Sequence, residues 1–124
     1  MSHMVAARID DLMFISRLNE ACRKDGFQLH VIQRRYDLPE KADVLVVDLT
    51  LDAADFGVAL GQANMRGIPS LGFAPHVRSE LFDEAHRLGV TLVVPNGQFS
   101  SRAAELIHHL LHDQAKGSPE RSHD

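Results

Sequence analysis

The stretch Ala42–Thr50, A-D-V-L-V-V-D-L-T, constrains this chain more than any other. Val44, Leu45, Val46 and Val47 run without a polar break and end on Asp48. An apolar, largely β-branched run bounded by charge suits a strand buried on both faces, as at the centre of a parallel sheet. In open parallel sheets, ligands gather outside the carboxyl ends of the strands. Asp48 therefore stands where a functional site is to be sought.

The flanking sequence supplies the rest of such a sheet. Val5 to Ile9 reads as a strand interrupted by Arg8. Leu12, Ile15, Leu18 and Cys22 recur at helical spacing, and Gly26 follows the basic last turn Arg23-Lys24. Phe27 to Ile32 alternates as a strand, with His30 exposed or edge-facing. Residues 33 to 42 are polar around Pro39 and leave room for a turn but not for a crossover helix. Leu51 to Arg66 reads as a helix with Ala54, Val58 and either Gly61 or Gln62 facing inward. Ile68 to Phe73 is a strand, and Val77 to Leu88 a helix with Leu81, Ala85 and Leu88 inward. Thr91 to Val94 is the last strand, and Phe99 to Gln114 the last helix, with Phe99, Ala103, Leu106, Ile107 and Leu110 inward. Gly26, Gly67 and Gly89 each fall between a helix and a strand, where a left-handed residue is wanted. The series predicts an α/β fold, a flavodoxin-like (βα)₅ parallel sheet of order 2-1-3-4-5 with the second crossover helix shortened or absent. It forms one domain over residues 4–114. Residues 1–3 look like a cloning remnant, and residues 115–124 have nothing to bury and read as a disordered tail.

Composition removes several classes of function. No apolar run approaches the ~20 residues that span a bilayer, and the N-terminus lacks a signal-peptide layout. No membrane role and a cytoplasmic location are expected. A net charge of −4, with Arg23-Lys24 and Arg34-Arg35 as the only adjacent basic pairs, argues against DNA as a partner. Cys22 is alone, so no disulfide framework exists and this thiol reads as a small hydrophobe. Neither a nucleophile elbow nor a phosphate-cradling glycine loop is present, and no enzyme is expected.

With strands 1 and 3 adjacent, Asp10 and Asp11 converge on Asp48. Three carboxylates in one pocket repel unless they share a cation, and oxygen-only ligation suits Mg²⁺. The competing reading has Asp10 or Asp11 capping the first helix and Asp48 accepting from loop N–H groups. His108 and His112 are four apart but share the polar side of the last helix with Glu105, a solvated face rather than a metal clip.

The acidic pair after strand 1, D-V-L-V-V-D-L at strand 3 and I-P-S-L-G-F-A-P-H after strand 4 together resemble the receiver domain of bacterial two-component response regulators. The resemblance implies that Asp48 holds the phosphoacceptor position and that Asp10 and Asp11, with Asp48, form a Mg²⁺ site. It also implies a Ser or Thr after strand 4 and a Lys after strand 5. Here Ala74 stands at the first position, and Val94 or Asn96 at the second. No lysine occurs between Lys41 and Lys116. His76 or Arg78 is the candidate substitute cation over the crevice. Phosphoryl transfer depends on such fixed positive charge. The expectation is an atypical receiver-like signalling domain that binds a protein partner, with a homodimer as an option and with weak or no phosphorylation. The alternatives are a working receiver phosphorylated on Asp48 with Mg²⁺ and, further off, a small Mg²⁺-dependent enzyme or small-molecule binder. By resemblance the contact surface includes Phe82, His86, Arg87, His108 and His109.

Overall fold

The computed structural model describes residues 3–33 and 36–116. Its elements are β1 (Met4–Arg8), α1 (Leu12–Asp25), β2 (Gln28–Val31), β3 (Val44–Asp48), α2 (Ala53–Arg66), β4 (Ser70–Ala74), α3 (Ser79–Arg87), β5 (Leu92–Pro95) and α4 (Asn96–Lys116). All four strand pairings are parallel and the order is β2-β1-β3-β4-β5. The expected topology is therefore present, with no helix between β2 and β3 among the described residues. Gly26, Gly67 and Gly89 all have positive φ, as the helix-to-strand junctions require.

Every residue of β3 is buried, and its alternation divides the core in two. Val44 and Val46 join Val5, Ala7, Ile9, Leu71, Phe73 and Phe99 beneath α1 and α4. Leu45, Val47 and Leu49 join Ala6, Phe56, Leu60 and Ala85 beneath α2 and α3. The connection from β2 to β3 substitutes for a helix on this second side. Leu38 and Ala42 are buried in it, and α2 pins it. Gln62 accepts from the Leu38 N–H at 2.6 Å and donates to Asp37 at 3.0 Å, and Arg66 donates to the Pro39 carbonyl at 2.9 Å.

The helices differ from the sequence reading at several points. In α2 the buried residues are Phe56, Ala59, Leu60 and Ala63, while Ala54, Val58 and Gly61 face solvent. Both faces are apolar, and the one carrying Phe and Leu removes more area from water. In α1 the first turn is exposed at Leu12 and Met13. Leu12 is 79% exposed, and Phe14 and Ile15 pack on the core in its place. The last helix begins at Asn96, directly after Pro95, and bends at Arg102 (φ −134°). One residue before it, the Ser101 hydroxyl donates back to the Gly97 carbonyl at 3.0 Å, a bond that often accompanies bent helices. The helix runs to Lys116, so Ala115 and Lys116, read from the sequence as tail, are helical; the rest of that reading, residues 117–124, lies outside the described residues, as do residues 1–2 and Arg34-Arg35. Among the described residues no helix is long and apolar enough to cross a membrane.

Candidate functional site

The carboxyl edge of the sheet carries Asp48 at the end of β3, level with Phe73 of β4. Alternation along β3 sends its side chain to the same side as Val46, toward α1 and α4. Asp48 is 7% exposed. Its Oδ1 accepts from the Thr50 N–H at 3.0 Å and from the Thr50 hydroxyl at 2.7 Å. Among the described residues its carboxylate takes part in no ion pair within 4 Å. The donors come from its own loop.

What surrounds Asp48 on that side is aromatic. The Phe73 and Phe99 rings stack with centroids 4.1 Å apart and planes 3° from parallel. Phe14 of α1 leans on Phe73 at 4.9 Å. Val94, level with Phe73, is buried in the same cluster, and Pro95 is level with Ala74. Of the two residues that stand where the resemblance expects a strand-5 cation, Val94 is apolar and buried here. Ala74 is buried toward α2 and α3. Asn96 opens α4. Ser70, four residues before the family position at Ala74, is buried and pairs with Thr91 instead, each donating its N–H to the other's hydroxyl.

A buried cation does exist at this edge, and sequence reasoning passed over it. Arg8, at the end of β1, lies on the face of Ala6 and points toward α2. Its Nη1 donates to Asp10 at 2.8 Å and to the Ile32 carbonyl at 3.2 Å, and its Nε and Nη2 donate to Asp55 at 3.1 and 2.9 Å. The Tyr36 ring lies 4.9 Å from the guanidinium carbon, and Tyr36 itself takes a left-handed backbone at φ 56°. Burial opposes the Arg8 charge, but the hydrogen bonds and charges of Asp10 and Asp55 outweigh it and raise its pKa. The one signal in the sequence was a lone arginine inside an apolar strand.

The three aspartates therefore do not pool. Asp10 is held by Arg8. Asp11 is the N-cap of α1, exposed, accepting from the Met13 N–H at 2.8 Å. Asp48 is satisfied by Thr50. Among the described residues no three His, Cys, Asp or Glu side chains form a group able to hold a metal, and no buried side-chain polar atom lacks a partner. In the structure the three carboxylates each meet a different donor. Arg8 offsets the charge of Asp10, whereas Asp11 and Asp48 accept from neutral N–H and O–H groups and keep their negative charge.

The remaining candidates are placed as follows. His76 is exposed in the turn after β4. Arg78 is exposed and bonded to Glu80 at 2.6 Å. Phe82 is partly buried against the core of the α3 side, and His86 and Arg87 are exposed at the end of α3. His108 faces the other way, its Nε2 3.0 Å from Asp25 and its ring 5.2 Å from that of Phe27. His108 thus lies toward α1 and not with the α3 residues. His109 is exposed on α4.

No family model and no curated protein matches this sequence. Solved structures do. A CheY-like response regulator receiver domain from Methanospirillum hungatei is similar with a TM-score of 0.76 at 13% identity, over 94% of this chain and 98% of that one. The receiver domain of a Pseudomonas aeruginosa sensor histidine kinase, with a magnesium ion coordinated in its active-site cleft, gives 0.73 at 11% identity over 91% and 100%. Full-length FixJ from B. japonicum gives 0.73 at 18% identity, over 97% of this chain and 63% of that one. With strand order, helix placement and these likenesses together, the chain has the fold of a response-regulator receiver domain.

Proposed function

We propose that this chain is a receiver-like signalling module that acts by binding a protein partner, with phosphorylation of Asp48 weak or absent. One observation carries the reading. Asp48 receives its hydrogen bonds from Thr50 and faces Phe73, while the buried cation Arg8 points to the opposite face and is already shared by Asp10 and Asp55. Phosphoryl transfer to a carboxylate needs positive charge where negative charge develops, and losing one such donor costs on the order of 3 kcal/mol of the barrier. Mg²⁺ would have to take Asp10 from Arg8, so its binding is expected to be weak. A module without a nucleophile–base pair or a substrate cleft works through its surface. Phe82, His86 and Arg87 on α3, with His109 on α4, are the proposed contacts, and His108 belongs to the α1 side.

Amide NMR spectra recorded with Mg²⁺ and then beryllofluoride, on wild type and Asp48→Ala, test this. Small, unsaturated shifts, alike in both proteins, are the expected result. Saturable shifts running from β3 into α3 and lost in Asp48→Ala would establish a working phosphoacceptor instead.

A further inference from the structure

Between α1 and α4 lies an open groove of about 240 Å³. Arg17, Glu20 and Lys24 line it from α1, and Ser100 and Ser101 from α4, over a floor of alanines too short to fill it. The three charged residues are spaced three and four apart, so they share one face of the helix. An adjoining depression of about 310 Å³ shares Glu20 and Lys24 and adds Arg23. Arg17 and Arg23 are unlike the other described arginines. Arg8, Arg66, Arg78, Arg87 and Arg102 each donate to a carboxylate or a carbonyl. Among the described residues Arg17, Arg23 and Lys24 form no ion pair within 4 Å, although Glu20 stands within helical reach of all three. Three positive charges thus gather around one negative charge, on a chain whose net charge is −4.

We propose that the groove between α1 and α4 binds a small molecule with an anionic group at each end and hydroxyls between them, of the class of sugar bisphosphates. The order of charges along α1 selects this chemistry. Arg17 and Lys24 are about 10 Å apart along the helix axis, so one phosphate meets one of them and two phosphates meet both. Glu20 stands between them, where it repels a further anion and accepts from a ligand hydroxyl. The facing wall is polar but uncharged. Ser101 donates to the Gly97 carbonyl and keeps its lone pairs for the ligand. The Ser100 hydroxyl makes no hydrogen bond among the described residues and is available to donate. Phosphate oxygens match the fork of Arg17 and the point charge of Lys24. The groove is open to water, which screens exposed charges, so the dissociation constant is expected to be ~0.1–1 mM. The site shares no residue with the surroundings of Asp48 or with the proposed α3 contacts, and it does not depend on the signalling role.

Amide NMR titration of the full chain tests it, with fructose phosphorylated at both ends as the probe, in ~0.1 M salt so that diffuse attraction is screened. Inorganic phosphate, glucose and a glutamate-rich peptide are titrated beside it. The bisphosphate is expected to give saturable shifts confined to residues 17–24 and 100–104. Inorganic phosphate is expected to bind at least ~5-fold more weakly, since it reaches one cation, and glucose not at all. Arg17→Ala and Lys24→Ala are each expected to weaken the bisphosphate ~5-fold, the scale of an exposed ion pair, and together to remove saturation. Both side chains are exposed, so the spectrum of each variant is expected to remain that of the folded chain. No saturable shift up to ~10 mM, or binding that survives the double substitution, overturns the proposal. Inorganic phosphate binding as tightly as the bisphosphate overturns the two-ended ligand. A glutamate-rich peptide binding more tightly than the sugar makes the groove a protein contact and overturns it as well.

Discussion

Nη1 of Arg8 lies 2.8 Å from Oδ1 of Asp10, so the carboxylate best placed to meet a metal already holds a cation. Arg8 divides its charge unequally between its partners, because the Asp10 side chain is 64% exposed and that of Asp55 25%. An exposed ion pair contributes little, whereas removing one partner of a desolvated pair leaves a charge without compensation. Asp55→Ala is therefore expected to cost about 2 kcal/mol of stability and Asp10→Ala under about 1 kcal/mol. Urea unfolding midpoints rank the two, and the reverse order would remove Asp55 as the principal anchor.

Cys22 gives a pH signature. Burial, with help from the Asp25 charge, pushes its thiol up from an ordinary 9.0 to about 11. The folded chain then keeps its proton where the unfolded chain has lost it. Stability is unaffected below about pH 9 and falls as pH rises from about 9 to 11, by about 2–3 kcal/mol at most. Cys22→Ala is expected to flatten that part of the profile. Below pH 9, alkylation of native Cys22 is expected to be far slower than that of the unfolded chain.

Gly72 has no room to grow. A Cβ there would lie 2.9 Å from Leu49 Cδ1 and 3.1 Å from its Cγ, and Leu49 is itself buried. Gly72→Ala is expected to destabilise by about 1–2 kcal/mol through overpacking. Leu49→Ala alone costs about 2–3 kcal/mol. In the double variant the two costs are expected to be less than additive, a comparison that thermal melts provide.

Phe99 closes the aromatic group beside Asp48. Phe99→Ala removes the ring stacked on Phe73 and is expected to cost about 3–5 kcal/mol, and Phe99→Leu about half as much. If the aromatic filling is what denies Asp48 a cation, Val94→Lys in an otherwise folded chain is expected to raise labelling by acetyl phosphate. Mass spectrometry of the intact protein reads this directly.

Sheet order was legible because apolar runs alternate with helix-period segments that end on Gly26, Gly67 and Gly89. The absence of a helix after β2 was legible from Pro39 and the polar residues around it. The face of α2 was not. Its residues are apolar on two sides, and periodicity identifies a stripe without deciding which stripe meets the sheet. Arg8 looked like a break in a strand, since its meaning lies in Asp55, 47 positions away. The aspartates were correctly drawn to one edge, but spacing does not reveal that Met13, Thr50 and Arg8 offer donors first. Asp11 was readable as a cap all along, because an aspartate before a helical run is the commonest use of one.

Leu38 leans on Gln62, 24 residues further along the chain, and Pro39 on Arg66. In most of this fold a strand is covered by the helix that immediately adjoins it. The connection leaving β2 is covered instead by a helix that the ribosome makes later, after β3. The amino-terminal third of the chain therefore cannot finish its own layer as it emerges. It is expected to stay open until residues 53–66 are out, and then to close together with the middle of the protein. Dropping a single helix has turned an assembly that could grow unit by unit into one whose first two strands wait for the helix that follows the third.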